Sequence, residues 1–216
     1  MIDLHSHTLF SDGDLLPAEL ARRAEAAGYR ALAFTDHVDS SCVEYVVKGL
    51  VKAAADLAPF YKMRLLPGVE ITHCPPDQIA EVARAARALG AKIILVHGET
   101  LAEPVKSGTN HAAILAGVDV LAHPGLITPE DASLAAEKGV CLEISGRAGH
   151  SLTNGHVAAA ARAARAELVF GTDTHSPDNI LNLEKATDIA RGAGLAADDV
   201  RALFDRAWRF FAGPKR

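Results

Sequence analysis

Pro76-Asp77-Gln78-Ile79-Ala80-Glu81-Val82-Ala83-Arg84-Ala85-Ala86-Arg87-Ala88-Leu89-Gly90-Ala91-Lys92-Ile93-Ile94-Leu95-Val96-His97-Gly98 contains one full unit of the fold. Pro76–Leu89 is Ala-rich and amphipathic, opens on proline, and is followed by Gly90 where a helix C′ residue is expected. Ala91–Val96 is a short apolar run of strand type, and His97 stands directly after it. The alternation continues on both sides. Strand-type runs fall at Met1–Leu4, Ala31–Phe34, Leu65–Ile71, Val118–Ala122, Val140–Ile144 and Glu167–Phe170. Helical patterns fall at Pro17–Ala27, Cys42–Ala58, Pro129–Lys138, His156–Arg165 and Asp198–Phe211. Gly139 marks another helix end, and Thr128-Pro129-Glu130-Asp131 and Ser176-Pro177-Asp178 read as caps with proline at the first helical position.

Seven strand–helix units in one direction predict parallel strands with helical crossovers. Nearly continuous apolar strands predict burial on both faces. The expected fold is therefore α/β, a closed barrel related to the (β/α)₈ type, with a doubly wound open sheet as the alternative. The chain of 216 residues fits a single domain spanning 1–216, with no repeat and no low-complexity linker. Hydrophobic residues make up 49% and charged residues 23%, which excludes a disordered or collagen-like chain. No apolar run reaches the ~18–20 residues of a membrane span. Met1-Ile2-Asp3-Leu4-His5 does not read as a secretory leader. A net charge of −5 does not suggest a general nucleic-acid binder. Cys42, Cys74 and Cys141 are odd in number and lack CxxC spacing. They read as reduced thiols, and the expected location is the cytoplasm.

The strand ends carry the chemistry. His5 and His7 follow the first run, Asp36 and His37 the second, and Glu70 closes the third. His97, His123 and Arg147 follow the next three, and Asp173 and His175 the last. The C-terminal edge of a parallel barrel or open α/β sheet is where active sites form. His5/His7 and Asp173/His175 are two apart, so on an extended strand each pair points to one side. Six imidazoles and up to four carboxylates in a partly buried mouth are costly unless paired. Divalent metal ions resolve that cost, and imidazole with carboxylate suits Zn, Mn or Fe.

These residues resemble the polymerase and histidinol phosphatase (PHP) superfamily. The resemblance rests on Asp3-Leu4-His5-Ser6-His7-Thr8, Ser11-Asp12-Gly13, Thr35-Asp36-His37, Gly68-Val69-Glu70, His97, Ala122-His123-Pro124 and Gly171-Thr172-Asp173-Thr174-His175, in order, to about residue 190. It implies a distorted (β/α)₇ barrel with up to three divalent metals. Carried over by position, the first metal is held by His5, His7, Glu70 and Asp173. The second is held by Asp12, His37 and His175, and the third by Glu70, His97 and His123, with Glu70 bridging. Asp12 stands where many of the superfamily's phosphatases have histidine. The implied reaction is hydrolysis of a phosphate ester by a hydroxide shared between metals.

Arg147 is the fixed cation expected to bind phosphate oxygens. Asp12 and His175 are candidates for protonating the leaving oxygen. Glu99–Asn110, rich in Pro, Gly and Thr, reads as a lid with Lys106 as a phosphate contact. His150 and Asn154 are candidate pocket residues, whereas His73, His111 and His156 read as helix-start or surface residues. Phe204, Trp208 and Phe211 form a stripe that docks the last helix on the core, a dimer contact being the lesser option. The expected partner is a small phosphorylated molecule, possible substrates being histidinol phosphate or a nucleotide. The oligomeric state is open. Competing readings are a 3′–5′ exonuclease, an amidohydrolase-type metallo-hydrolase and a non-catalytic metal-binding regulatory module. The amidohydrolase type normally bridges its metals with a lysine, and no lysine stands at a strand end here.

Overall fold

The computed structural model describes residues 1–212. Eight strands and eight α-helices follow one another, alternating except that β3 directly follows β2 and α8 directly follows α7: β1 (Ile2–Asp3), α1 (Pro17–Ala26), β2 (Ala31–Phe34), β3 (His37–Val38), α2 (Val43–Leu57), β4 (Arg64–Ile71), α3 (Pro76–Leu89), β5 (Ile93–His97), α4 (Thr109–Leu115), β6 (Val120–Ala122), α5 (Pro129–Lys138), β7 (Cys141–Ser145), α6 (Asn154–Ala164), β8 (Leu168–Gly171), α7 (Leu183–Gly192) and α8 (Ala197–Phe211). All pairings are parallel, in the order β1-β2-β4-β5-β6-β7-β8, with β3 also pairing β4. The ends meet where Ser6 bridges Thr174 and the His7 amide donates to the Thr174 carbonyl at 2.8 Å. The sheet thus closes into a distorted barrel, as expected, and the open doubly wound alternative falls.

Strand periodicity sorts side chains between two cores. Leu32, Phe34, Ile94, Val96, Leu142 and Phe170 face outward and join the helices in the larger cluster. Ile2, Leu4, Ala31, Ala33, Ile93, Leu95, Val120, Ala122, Cys141 and Val169 fill the barrel interior. Gly90 and Gly139 end α3 and α5 in the left-handed conformation, and the Thr128 side chain caps α5 by accepting from the Asp131 amide. The Phe204–Trp208–Phe211 stripe divides between the two cores. Phe204 packs on Phe170 in the outer core, whereas Phe211 and Trp208 close the N-terminal end of the barrel. The last helix is therefore a plug at the end opposite the strand C-termini.

Two helices lie where the sequence pattern predicts none, α4 and α7. Among the described residues, no helix is long and apolar enough to cross a membrane. Cys42, Cys74 and Cys141 are unpaired.

Candidate metal centre

The inward phase of each strand carries past its apolar layers to the barrel mouth. Ile93 and Leu95 of β5 lead to His97, Leu66 and Gly68 of β4 lead to Glu70, and Val169 and Gly171 of β8 lead to Asp173. His5, His7, Glu70, His97, His123 and Asp173 are all buried at this level. Two of them have left-handed backbone, His123 at φ 28° and Asp173 at φ 54°. Such a conformation costs a non-glycine residue ~1–3 kcal/mol and persists only where its surroundings enforce it. The Asp173 amide donates to the His5 carbonyl at 2.9 Å, and the His123 amide to Glu143 Oε2 at 3.0 Å.

Donor spacing shows what the cage fits. His5 Nε2 and Glu70 Oε2 are 3.3 Å apart, as are His7 Nε2 and Asp173 Oδ1, and His123 Nε2 and Glu70 Oε1. His5 Nε2 and His7 Nε2 also lie 3.7 Å from Asp173 Oδ1 and Glu70 Oε2 respectively. These separations exceed an ordinary hydrogen bond. Two ligands ~2.0–2.2 Å from one tetrahedral ion stand ~3.3–3.6 Å apart. His5 Nε2, both ring nitrogens of His7, Glu70 Oε1 and both ring nitrogens of His123 are buried without a hydrogen-bond partner among the described residues. A neutral protein interior leaves such atoms orphaned at a cost of ~1–3 kcal/mol each, whereas a divalent cation satisfies several at once. The donor set therefore fits divalent cations.

The charges agree. Burial works against the ionised form of Glu70 and Asp173, but the surrounding histidines outweigh it and hold both carboxyls well below the usual range. For His7, burial and the neighbouring His37 push the imidazole down to about 3, the neutral form that ligates. Burial opposes protonation of His37, but Asp12 and Glu70 raise it to about 10.

A second group stands nearer solvent. Asp12, His37 and His175 offer ligand atoms that, with one from His7, all lie within 4.8 Å of one another. Asp12 Oδ1 is 3.4 Å from His37 Nε2 and 3.2 Å from His175 Nε2. Arg147 Nη1 contacts the His175 ring, donates to the Asp173 carbonyl at 3.2 Å and lies 3.6 Å from Asp173 Oδ1. A third group is His97, His123 and His150, with the His123 and His150 rings stacked 4.1 Å apart. A cavity of about 180 Å³ opens above them, lined by Asp12, His37, Thr72, His73, His97, Glu103, Arg147, His150, Asp173 and His175.

All nine residues read from the sequence as metal ligands thus converge, and Arg147 and His150 join them. Lys106 and Asn154 do not line this cavity. Asn154 is committed to β7, its Oδ1 accepting from the Ser145 amide at 3.0 Å and its Nδ2 donating to the Ser145 carbonyl at 2.8 Å. Three residues at the site escape the sequence reading. Glu143, fully inside the barrel, accepts at 2.7 Å from His5 Nδ1. Glu103 reaches in from the β5–α4 loop, and His73 leans over His97 from the end of β4. Glu143 carried a usable signal: an acid in the middle of an apolar parallel strand, in phase with interior Cys141, must have a buried partner.

Residues 3–115 match the family model of the PHP domain. The chain belongs to the PHP domain family. It is 44% identical over 195 residues to an uncharacterized protein of Methanocaldococcus jannaschii, covering 89% of each chain. The histidinol phosphate phosphatase of Lactococcus lactis, solved with zinc, L-histidinol and phosphate, aligns with a TM-score of 0.63 over 90% of this chain and 94% of its own, at 17% identity. An amidohydrolase from Burkholderia ambifaria with bound zinc aligns with a TM-score of 0.62 over 92% and 70%, at 15% identity. At these identities the two structures share the PHP-domain protein's fold.

Proposed function

We propose that this PHP-domain protein is a metal-dependent phosphoesterase acting on small phosphomonoesters, histidinol phosphate or a nucleotide among them. The observation that carries the reading is the orphaned, cation-spaced donor cage at the strand C-termini with a guanidinium beside it. The His5–His7–Glu70–Asp173 set, the Asp12–His37–His175 set and a set around His97 and His123 would hold up to three ions. Divalent cations supply Lewis acidity there, neutralising phosphate charge and lowering the pKa of water.

The chain's own groups do the rest. Arg147, half-buried and anchored to the Asp173 carbonyl, presents its remaining N–H groups to phosphate oxygens. That anchoring fixes the phosphate relative to the cage, and positioning with electrostatics dominates phosphoryl transfer. Asp12 and His175 line the cavity beside Arg147, and whichever of them is not taken up in holding an ion would be the group to protonate a leaving oxygen. A cavity of about 180 Å³ is smaller than the ~300–1,000 Å³ of typical ligand sites, which favours a compact phosphate ester over a polynucleotide. Glu70 occupies the central position between His5, His37 and His123, which favours this chemistry over that of lysine-bridged amidohydrolases. The test is metal analysis of the purified protein with a panel of phosphomonoesters, a phosphodiester and single-stranded DNA, each with Mn, Zn and Fe. Turnover confined to phosphomonoesters is expected. Hydrolysis of the DNA alone, or no turnover with any metal, would refute it.

A further inference from the structure

Outside the two inner carboxylates, one more constellation has ligand chemistry and ligand spacing. His73, His97 and Glu103 offer donor atoms within 4.8 Å of one another. Glu103 Oε2 lies 3.2 Å from both His73 Nε2 and His97 Nε2, and Glu103 Oε1 lies 3.6 Å from His150 Nε2. Among the described residues, His73, His123, Asp173 and Arg165 are the non-glycine residues with positive φ. Arg165 terminates α6, a place where that conformation is ordinary. His123 and Asp173 belong to the cage. His73, at φ 50°, ends no helix, and its conformation carries its ring to within 5.2 Å of the His97 ring. An outlier of this kind argues from observed strain to a role.

The loop that brings Glu103 is built, not slack. Glu99 Oε1 accepts from the amides of Gly108 and Asn110, and the buried Thr100 hydroxyl pairs with His150 Nδ1 at 2.8 Å. Two imidazoles and one carboxylate, with water open to the remaining positions, suit a zinc-class cation. His73 and Glu103 are partly exposed, so an ion reaches them from solvent.

We propose that His73, His97 and Glu103 form a divalent-cation site at the mouth of the barrel, and that a cation there ties residues 98–108 to the end of β4. Because His97 Nδ1 faces the Gly98 carbonyl at 3.2 Å, only Nε2 is free to ligate. The mouth site and the deeper His97–His123–His150 group therefore compete for one nitrogen. The inference rests, through His97, on reading the inner cage as metal-binding.

The test is amide hydrogen exchange on the full chain, desalted or with added Zn²⁺, for wild type, Glu103→Gln and His73→Asn. Glutamine preserves the shape of Glu103, and asparagine tolerates left-handed backbone. Added zinc slows exchange across residues 99–108 by tenfold or more in the wild type, and both variants lose that protection. Both variants keep the zinc that survives desalting, which belongs to the His5–His7–Glu70–Asp173 and Asp12–His37–His175 sets and leaves His97 Nε2 free. If the wild type retains no zinc through desalting, the cage reading itself fails. If zinc is retained but leaves loop exchange unchanged, or if protection persists in both variants, the mouth site alone is overturned.

Discussion

Glu143→Gln exchanges one atom and leaves volume almost untouched, yet the geometry makes it damaging. In the native chain one carboxylate oxygen accepts from His5 Nδ1 at 2.7 Å and the other accepts the His123 amide at 3.0 Å. The proton on His5 is thereby held at Nδ1, leaving Nε2 as the lone pair aimed at Glu70 and Asp173. Glutamine has one acceptor. If its oxygen keeps the His123 amide, its NH₂ faces His5 Nδ1 and forces the proton onto Nε2, where it blocks ligation. If the amide flips, two N–H donors confront each other at His123 in a fully buried place. The first outcome lowers zinc affinity by ~10–100-fold, about 1.4–2.7 kcal/mol. The second leaves a buried donor unpaired at ~1–3 kcal/mol of folding stability. Chelator competition for zinc and thermal unfolding of metal-free protein read the two separately. A variant matching the wild type in both would refute the assignment of Glu143 as the group that orients His5.

His97→Ala and Asp173→Asn each abolish p-nitrophenyl phosphate turnover while circular dichroism shows a folded protein; retained turnover counts against the cage. Arg147→Ala raises KM for phosphate esters by ~10-fold or more as a charge-assisted phosphate contact of ~1.5–3 kcal/mol is lost, and an unchanged KM in steady-state kinetics removes it from the pocket. Burial pushes the Cys141 thiol up to about 12, so at pH 8 it stays protonated and unreactive; mass spectrometry after native iodoacetamide treatment finds it unlabelled, while raising the pH to 9 still leaves it so. Thr128→Ala removes the α5 cap at a cost of ~1 kcal/mol, a fall in Tm of ~2–4 °C for a chain of this size.

The parts of the fold that the sequence made legible are those governed by local periodicity. Apolar runs ending in His, Glu or Asp identify strands whose C-terminal ends meet, because a parallel barrel brings successive strand ends to one rim whatever their separation along the chain. α4 escaped because Thr109–Leu115 is too short for its pattern to stand out from the preceding Pro- and Gly-containing loop. α7 escaped behind Ser176-Pro177-Asp178, whose capping signal belongs to a short 3₁₀ turn, the α7 cap being Asn182 instead. At the site, Asn154 lies near the rim but satisfies the Ser145 backbone, a pairing no spacing rule reveals. His73 precedes Cys74-Pro75-Pro76 and looks like the lead-in to a helix; only its left-handed backbone turns it inward.

The architecture also explains why so expensive a cage can sit at the mouth of a small barrel. Left-handed backbone at His123 and Asp173 and unpartnered buried nitrogens all oppose folding. They are concentrated in one layer, directly above apolar interior residues contributed by every long strand and below which α8 seals the barrel. Gly171 shows how tightly that layer is fitted: a Cβ there would stand 2.0 Å from Glu143 Oε1 and 2.7 Å from His5 Cβ. Any side chain at 171 therefore displaces the carboxylate that orients His5. The stability of the core below and the precision of the cage above meet at this one glycine. Gly171→Ala is thus expected to weaken zinc binding even though it adds only a methyl group and no charge. Zinc affinity equal to the wild type in chelator competition would show that the layer has slack the geometry denies.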